Sequence, residues 1–146
     1  MIEICGITEE NLSPVAESER LLFSDPWTEN ALKGHLATQG GTGYLLLFKG
    51  EMAGYLIGSL TLGEGELFRI GILPVFRRKG LGKALISHFL KEAKKAGAKK
   101  IFLEVRESNL PARTLYEALG FHIIGERKRY YRDPVEGALL YQKDLS

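Results

Sequence analysis

Apolar and polar positions change period several times along the chain, and each change marks an element. "IEICGI" (2–7) alternates and reads as a short strand. Ser13-Pro14 supplies a cap and a first-turn proline for a helix through "VAESERLLF", and a second short helix starts at Thr28, after "DPW". "GYLLLFKGEMAGYLIGSLTL" holds two apolar, β-branched and aromatic runs parted by Gly50-Glu51, the pattern of a hairpin. "GEG" (63–65) then turns the chain into "ELFRIGI", so these strands read as consecutive and antiparallel rather than as a βαβ series.

From Leu81 the period becomes helical: Leu81, Ala84, Leu85, Phe89, Ala93 and Ala96 share one face, and Gly97 closes the helix. "KKIFLEV" (99–105) is the next strand and "PARTLYEAL" (111–119) the next helix, ended by Gly120. "FHIIGERKRYY" and "GALLYQKDL" form a last strand pair. No repeat, linker or low-complexity tract interrupts the series. The pattern predicts an α+β fold: a mixed, mostly antiparallel sheet of about seven strands with about four helices.

Composition narrows the function classes. A chain of 146 residues, 45% hydrophobic and 26% charged, fits one globular domain spanning 1–146. Its 20 basic and 18 acidic residues leave a net charge of +2, too even for an electrostatically dominated nucleic-acid binder. Any polyanion site is therefore local. Cys5 is the single cysteine, which excludes an intramolecular disulfide and a cysteine metal cluster and favours a reducing compartment. His35, His88 and His122 lack metal-ligand spacing, so no metal is expected. The first residues carry no basic-then-apolar signal, and no run approaches the ~18 apolar residues of a membrane span. The expectation is a cytoplasmic protein, complete from its first residue and independent of membranes.

The local polyanion candidate is "FRRKGLGKAL" (76–85), between a strand and the long helix. A helix N-terminus presents unpaired N–H groups and partial positive charge, and glycines let a phosphate approach the backbone. Arg77, Arg78, Lys79 and Lys83 add charge, although a solvated basic helix start has the same composition. The P-loop pattern is absent, and G-x-G-x-x-G fails because position 85 is Leu.

A second motif, "LEVRESNLPARTLYEALGF" (103–121), follows: strand, polar loop, helix and a Gly-Phe exit. Together with "RRKGLG", at this order and separation, it resembles the GNAT superfamily of N-acetyltransferases over essentially the whole chain. "DPW", "LEVRESN" and "RYY" most resemble the bacterial branch that acetylates the N-terminal amine of ribosomal proteins. The resemblance implies acetyl-CoA as co-substrate. Backbone groups of Ile70, Gly71 and Ile72 would pair with its pantetheine arm, amides of Arg78, Lys79, Gly80, Leu81, Gly82 and Lys83 would hold the pyrophosphate, and Asn109 would contact the cofactor. Glu104 matches the family's proposed base and Tyr116 its proposed acid.

The chemistry wants such groups. An α-amine of pKa ~7.7 to 8.0 must lose a proton before it attacks a thioester, and a carboxylate can take it. A phenol can then protonate the departing thiolate. No acyl-enzyme is needed, and Cys5 has no recognisable base partner. Tyr130 and Tyr131 are candidates for lining the acceptor site.

Each assignment has a plainer rival. Glu104 alone reads as a solvent-facing strand residue, Tyr116 as an aromatic packed on the sheet, and Arg127-Lys128-Arg129 as a solvated strand face. Two rival functions share the fold: an acetyltransferase acting on lysine or a small amine, and a silent acyl-CoA-binding module. Three positions depart from the family pattern. Leu73 replaces the usual acidic or histidine residue before the proline, Arg69 replaces a small polar residue, and Gly137 stands where an Asp is usual. Arg69 and Gly137 are expected near the acceptor.

Overall fold

A computed structural model of the protein describes residues 1–132 and 134–145. In chain order the elements are β1 (Ile2–Gly6), α1 (Leu12–Leu22), α2 (Glu29–Ala37), β2 (Gly41–Phe48), β3 (Glu51–Thr61), β4 (Glu64–Ile72), α3 (Leu81–Lys95), β5 (Lys100–Arg106), α4 (Leu110–Ala118), β6 (His122–Tyr131) and β7 (Glu136–Asp144). The strands form one sheet ordered β1-β2-β3-β4-β5-β7-β6. The expected α+β fold, its seven strands and its four α-helices are all found among the described residues.

Boundaries move where local chemistry competes. The first helix begins at Leu12, ahead of Ser13-Pro14, after a single 3₁₀ turn over Glu9–Asn11. The first hairpin turns on Lys49 and Gly50, with φ of 53° and 82°, one residue earlier than Gly50-Glu51. Two successive left-handed residues match the right-handed twist of the strands they join. The antiparallel series holds from β1 to β4. Then α3 carries the chain back, and β5 lies parallel to β4: the fold contains one βαβ crossover after all. β7 inserts between β5 and β6, antiparallel to both.

Period-two alternation in the central strands builds a core on each face of the sheet. Leu46 and Leu56 turn to the α3 side, where Leu81, Leu85, Ile86, Phe89 and Ala93 give that helix its buried stripe. Their neighbours Leu45, Tyr55 and Ile57 turn to the other side and pack on Leu12, Val15, Ala16 and Leu32 of α1 and α2. A helix that buries one stripe on a sheet face gives the layered arrangement expected of such elements.

One irregularity in β4 positions the functional site. Gly58 pairs with Leu67 and Ile57 with Arg69, so Phe68 is an extra residue, a β-bulge. The bulge resets the alternation. Leu67 belongs to the α3-side core, Phe68 meets the Trp27 and His35 rings, Arg69 also turns toward α1, and Ile70 and Ile72 return to the α3 side. β4 pairs with β5 only from Glu64↔Lys100 to Leu67↔Leu103. Beyond the bulge the two strands part.

The close fit of α3 against β3 makes a stability test. A Cβ at Gly58 would lie 2.7 Å from the Glu66 carbonyl oxygen and 3.0 Å from the Phe89 ring, whereas one at Gly125 meets nothing within 4 Å. Overpacking a tight core costs about 1 to 3 kcal/mol. Gly58→Ala is therefore expected to lower the unfolding free energy by that amount, read as a lower urea midpoint with an unchanged slope, and Gly125→Ala to leave the free energy within about 0.5 kcal/mol.

Candidate active site

Two cavities meet where β4 leaves β5. The first, about 620 Å³, is lined by residues 22–25, Trp27, Glu66, Arg69, Glu104, Arg106, Tyr116, Tyr130 and Tyr131, among others. The second, about 640 Å³, is lined by Gly71, Ile72, Phe76 and residues 77, 78 and 80–83, with Pro111 and Leu115 opposite. Leu22, Phe23, Ile70, Asn109 and Ala112 line both. The parted strands thus join the two spaces through the sheet.

The second cavity has the features of a phosphate cradle. Arg78 and Gly80 both hold left-handed φ, 63° and 75°, so the loop bends its amides toward the start of α3. A Cβ at Gly80 would meet nothing within 4 Å, so the space beside that backbone is open. Leu81 begins α3, whose first-turn N–H groups lack helical partners. Lys83 lines the cavity, while Lys79 turns aside, its ammonium 5.6 Å from the Phe48 ring. Asn109 accepts from Ala112 N–H at 3.2 Å and so caps α4, a role the sequence reading did not assign to it. Its place on the rim of both cavities is retained.

In the first cavity, Glu104 stands between buried Leu103 and Val105 and turns to the opposite face, as alternation requires. Its Oε1 lies 3.7 Å from the Arg127 guanidinium. Its Oε2 is shut off from solvent and has no hydrogen-bond partner among the described residues. A buried acceptor without a donor is costly, and an amine N–H is the kind of donor that would satisfy it. Burial, with the nearby Glu104 and Glu64 carboxylates, raises the carboxyl of Glu66 above its usual range against the pull of Arg127. Three carboxyl groups, Asp25, Glu66 and Glu104, thus share the lining of this cavity with the guanidinium groups of Arg69 and Arg106.

Tyr116 is only 5% exposed, packed by Phe121 and Tyr141. Burial, with a smaller contribution from Tyr131, raises its phenol well above the ordinary value, so the group stays protonated at neutral pH and can donate. Both the packing role and the donor role are available to it. Burial and Glu104 likewise push Tyr131 up to about 12. Tyr130 and Tyr131 meet edge to face, 5.1 Å between centroids.

The tyrosines reach the cavity because β6 carries a second irregularity. Arg127 pairs with Ala138 but Tyr131 with Glu136, which leaves three residues facing one, and Arg129 takes φ 53°. Arg106 secures this segment: it donates to the carbonyls of Pro134 at 2.9 Å and Arg132 at 2.8 Å and stacks on Tyr131 at 4.5 Å. Glu136, its ion-pair partner at 3.3 Å, also accepts from Ser108 N–H and Oγ. Those hydrogen bonds and Arg106 hold its carboxyl below the usual range.

Arg106, Glu66 and Asp25 are site residues that sequence reasoning missed. Arg106 and Glu66 lie in strands at alternating positions, where a charge reads as solvated; position two after Glu104 and on the facing strand was the available signal. Of the two departures expected near the acceptor, Arg69 lines the first cavity. Gly137 lines neither, and a Cβ there would meet the exposed Glu107 side chain, which is free to shift, so the structure gives this departure no explanation.

An open mixed sheet parted at its centre, a phosphate cradle on one side and a carboxylate with a protonated phenol on the other define an acyl-CoA-dependent transferase. Known proteins agree. Residues 10–121 match the model of the acetyltransferase (GNAT) family. The chain is 36% identical to the ribosomal protein bS18-alanine N-acetyltransferase of Escherichia coli K12, over 100% of this chain and 99% of that one. It is 34% identical to its putative counterpart in Bacillus subtilis, over 90% and 87%. The crystal structure of the Escherichia coli ribosomal-protein-S18-alanine N-acetyltransferase superposes with a TM-score of 0.92, at 32% identity, covering 100% of this chain and 95% of that one. Arabidopsis thaliana NAA60 with a bisubstrate analogue superposes at 0.90 with 15% identity, covering 100% of both chains, a likeness of fold. The chain belongs to the GNAT acetyltransferase family, and its co-substrate is acetyl-CoA.

The cradle makes a binding test. A left-handed non-glycine residue costs on the order of 1 to 3 kcal/mol, and a branched side chain at Gly80 would fill the open space beside the amides. Gly80→Val is expected to weaken acetyl-CoA about tenfold or more in calorimetry. Gly82→Val, whose Cβ would start 3.2 Å from Leu115 Cδ2, is expected to do the same. Unchanged affinity in both would contradict the cradle.

Proposed function

We propose that this protein, as one transferase domain over residues 1–146, moves the acetyl group of acetyl-CoA directly onto the N-terminal α-amine of a ribosomal protein of the bS18 type, with alanine as the acceptor residue. The carrying observation is the junction of two cavities at the strand parting, with a partnerless Glu104 oxygen on the acceptor side. The activity of the 36% identical relative, aligned over the whole chain, supports the acceptor class. That acceptor also favours a bacterial cytoplasmic location, and among the described residues no helix is long and apolar enough to cross a membrane.

In this reading, amides of residues 78–83 bind the pyrophosphate, and the free edge of Ile70, Gly71 and Ile72 bonds the pantetheine and polarises the acetyl carbonyl. Asn109 lies against the cofactor at the junction. Tyr130 and Tyr131 line the first acceptor residue. Glu104 takes the proton that the α-ammonium must lose, the nitrogen forms its bond to the acetyl carbon as the C–S bond breaks, and Tyr116 gives its proton to the thiolate. An α-amine near pKa ~8 yields its proton at neutral pH far more readily than a lysine at ~10.4.

General acid or base groups contribute about 10²- to 10⁴-fold. Glu104→Gln and Tyr116→Phe are each expected to lower kcat within that range while acetyl-CoA affinity holds. A Glu104→Gln enzyme with full turnover across neutral pH would exclude an essential base there. The acceptor is tested with two peptides, one lysine-free with a free N-terminal alanine, the other N-terminally blocked with an internal lysine. Mass spectrometry is expected to find acetyl on the first alone; acetyl on the second alone would overturn the α-amine reading.

A further inference from the structure

We propose that Arg69 is the positioning residue that holds segment 23–27 as the acceptor-side wall of the site, a role that rests on the acceptor cavity assigned above. Arg69 is one of the chain's departures from the family pattern, and the bulge at Phe68 turns it toward α1. There its Nε donates to Glu19 Oε1 at 3.1 Å. Its Nη2 donates to the Asp25 carbonyl at 2.6 Å and lies 3.4 Å from the Asp25 carboxylate, and its plane stacks 3.9 Å from the Phe23 ring. One guanidinium thus ties a sheet strand to three points on the stretch from α1 to Asp25.

The anchor beneath it is a buried charge. Glu19 is 0% exposed, and its two oxygens accept from Tyr55 hydroxyl at 2.6 Å, Trp27 N–H at 2.9 Å and Arg69. Burial and this carboxylate raise the Tyr55 phenol far above its ordinary value, which keeps the hydroxyl a donor. A buried carboxylate persists where its charge is compensated and its lone pairs are filled, and Arg69 is its ion-pair partner here. The planar fork suits the task in a way a lysine does not, because it bonds in two directions while stacking on an aromatic ring.

The segment so held is functional by position. Phe23, Ser24, Asp25 and Trp27 line the acceptor cavity opposite Tyr130 and Tyr131, while Phe23 also borders the acetyl-CoA side. It lies between α1 and α2 without regular structure, so its shape comes from these side-chain ties. Displacing Asp25 and Trp27, which line the first cavity alone, would widen the acceptor side, while Phe23, which borders both cavities, would pass a smaller effect to the acetyl-CoA side.

Trp27 is the single tryptophan, which gives a reporter inside the segment. The test uses Arg69→Met and, to avoid stranding a buried charge, the double variant Glu19→Gln with Arg69→Met, whose glutamine oxygen can accept from Trp27 N–H while its amide donates to the Tyr55 hydroxyl oxygen. In both, acrylamide quenching of Trp27 is expected to rise about twofold or more. KM for the N-terminal alanine peptide is expected to rise about tenfold, with kcat within about threefold and the acetyl-CoA dissociation constant within about twofold. Unchanged quenching in both variants would overturn the proposal. So would loosened Trp27 with unaltered acceptor KM, or an equal loss of acetyl-CoA affinity, which would mark a merely structural role. A wild-type enzyme inert toward the peptide would count against the acceptor reading, and the quenching, which needs no acceptor, would still decide the role of Arg69.

Discussion

The bulge at Phe68 is the constraint on which the site depends. One extra residue in β4 ends its pairing with β5 at Leu67↔Leu103, and the strands diverge. Backbone polar groups along a sheet normally find partners in the neighbouring strand. Past the bulge, residues 70–72 keep β3 on one side and lack β5 on the other, where the Ile72 carbonyl accepts instead from Arg77 Nε at 3.2 Å. A free strand edge inside a protein is a template for another extended, hydrogen-bonding chain, and the pantetheine arm of acetyl-CoA is one. The same extra residue puts Phe68 and Arg69 on one face, so the parting of the strands and the placing of Arg69 against Glu19, Phe23 and Asp25 arise from a single local event.

The chemistry on either side is sorted by sheet face. Glu104 faces the acceptor cavity because its neighbours Leu103 and Val105 are committed to the α3-side core. Tyr116 approaches from α4, whose buried position keeps its phenol protonated. Glu104 stands close to Arg127 with one oxygen unbonded; the phenol of Tyr116 is neutral and enclosed.

Much of this was legible in the chain. Period-two and helical runs gave every strand and α-helix, because each face of the sheet buries a simple stripe and the turn residues Gly50, Gly63, Gly97 and Gly120 stand where a left-handed φ is required. The loop 76–85 that lines the second cavity and Glu104 in the first stand out as motifs. What stayed hidden depends on contacts distant in sequence. Glu19 sits in "VAESERLLF" like any surface glutamate, and only Tyr55 and Arg69, 36 and 50 residues on, make it a buried anchor. The parallel β4–β5 pairing was hidden for a related reason: its crossover helix follows a run of antiparallel hairpins, and nothing in "KKIFLEV" says which strand it will join. Arg106 and Glu136, 30 residues apart, hold the tyrosine segment in the same way.

The account claims that acceptor amine and thioester meet at the strand parting, between the free edge of β4 and the Glu104–Tyr116 pair. A crystal structure with a conjugate of CoA joined through an acetyl linker to an N-terminal alanine peptide tests this most directly. The account expects the pyrophosphate at residues 78–83, the pantetheine along residues 70–72, and the linker within hydrogen-bond reach of Tyr116, with the alanine nitrogen facing Glu104 directly or through one water. A linker lying outside the parting, or a peptide entering away from Tyr130 and segment 23–27, would contradict it.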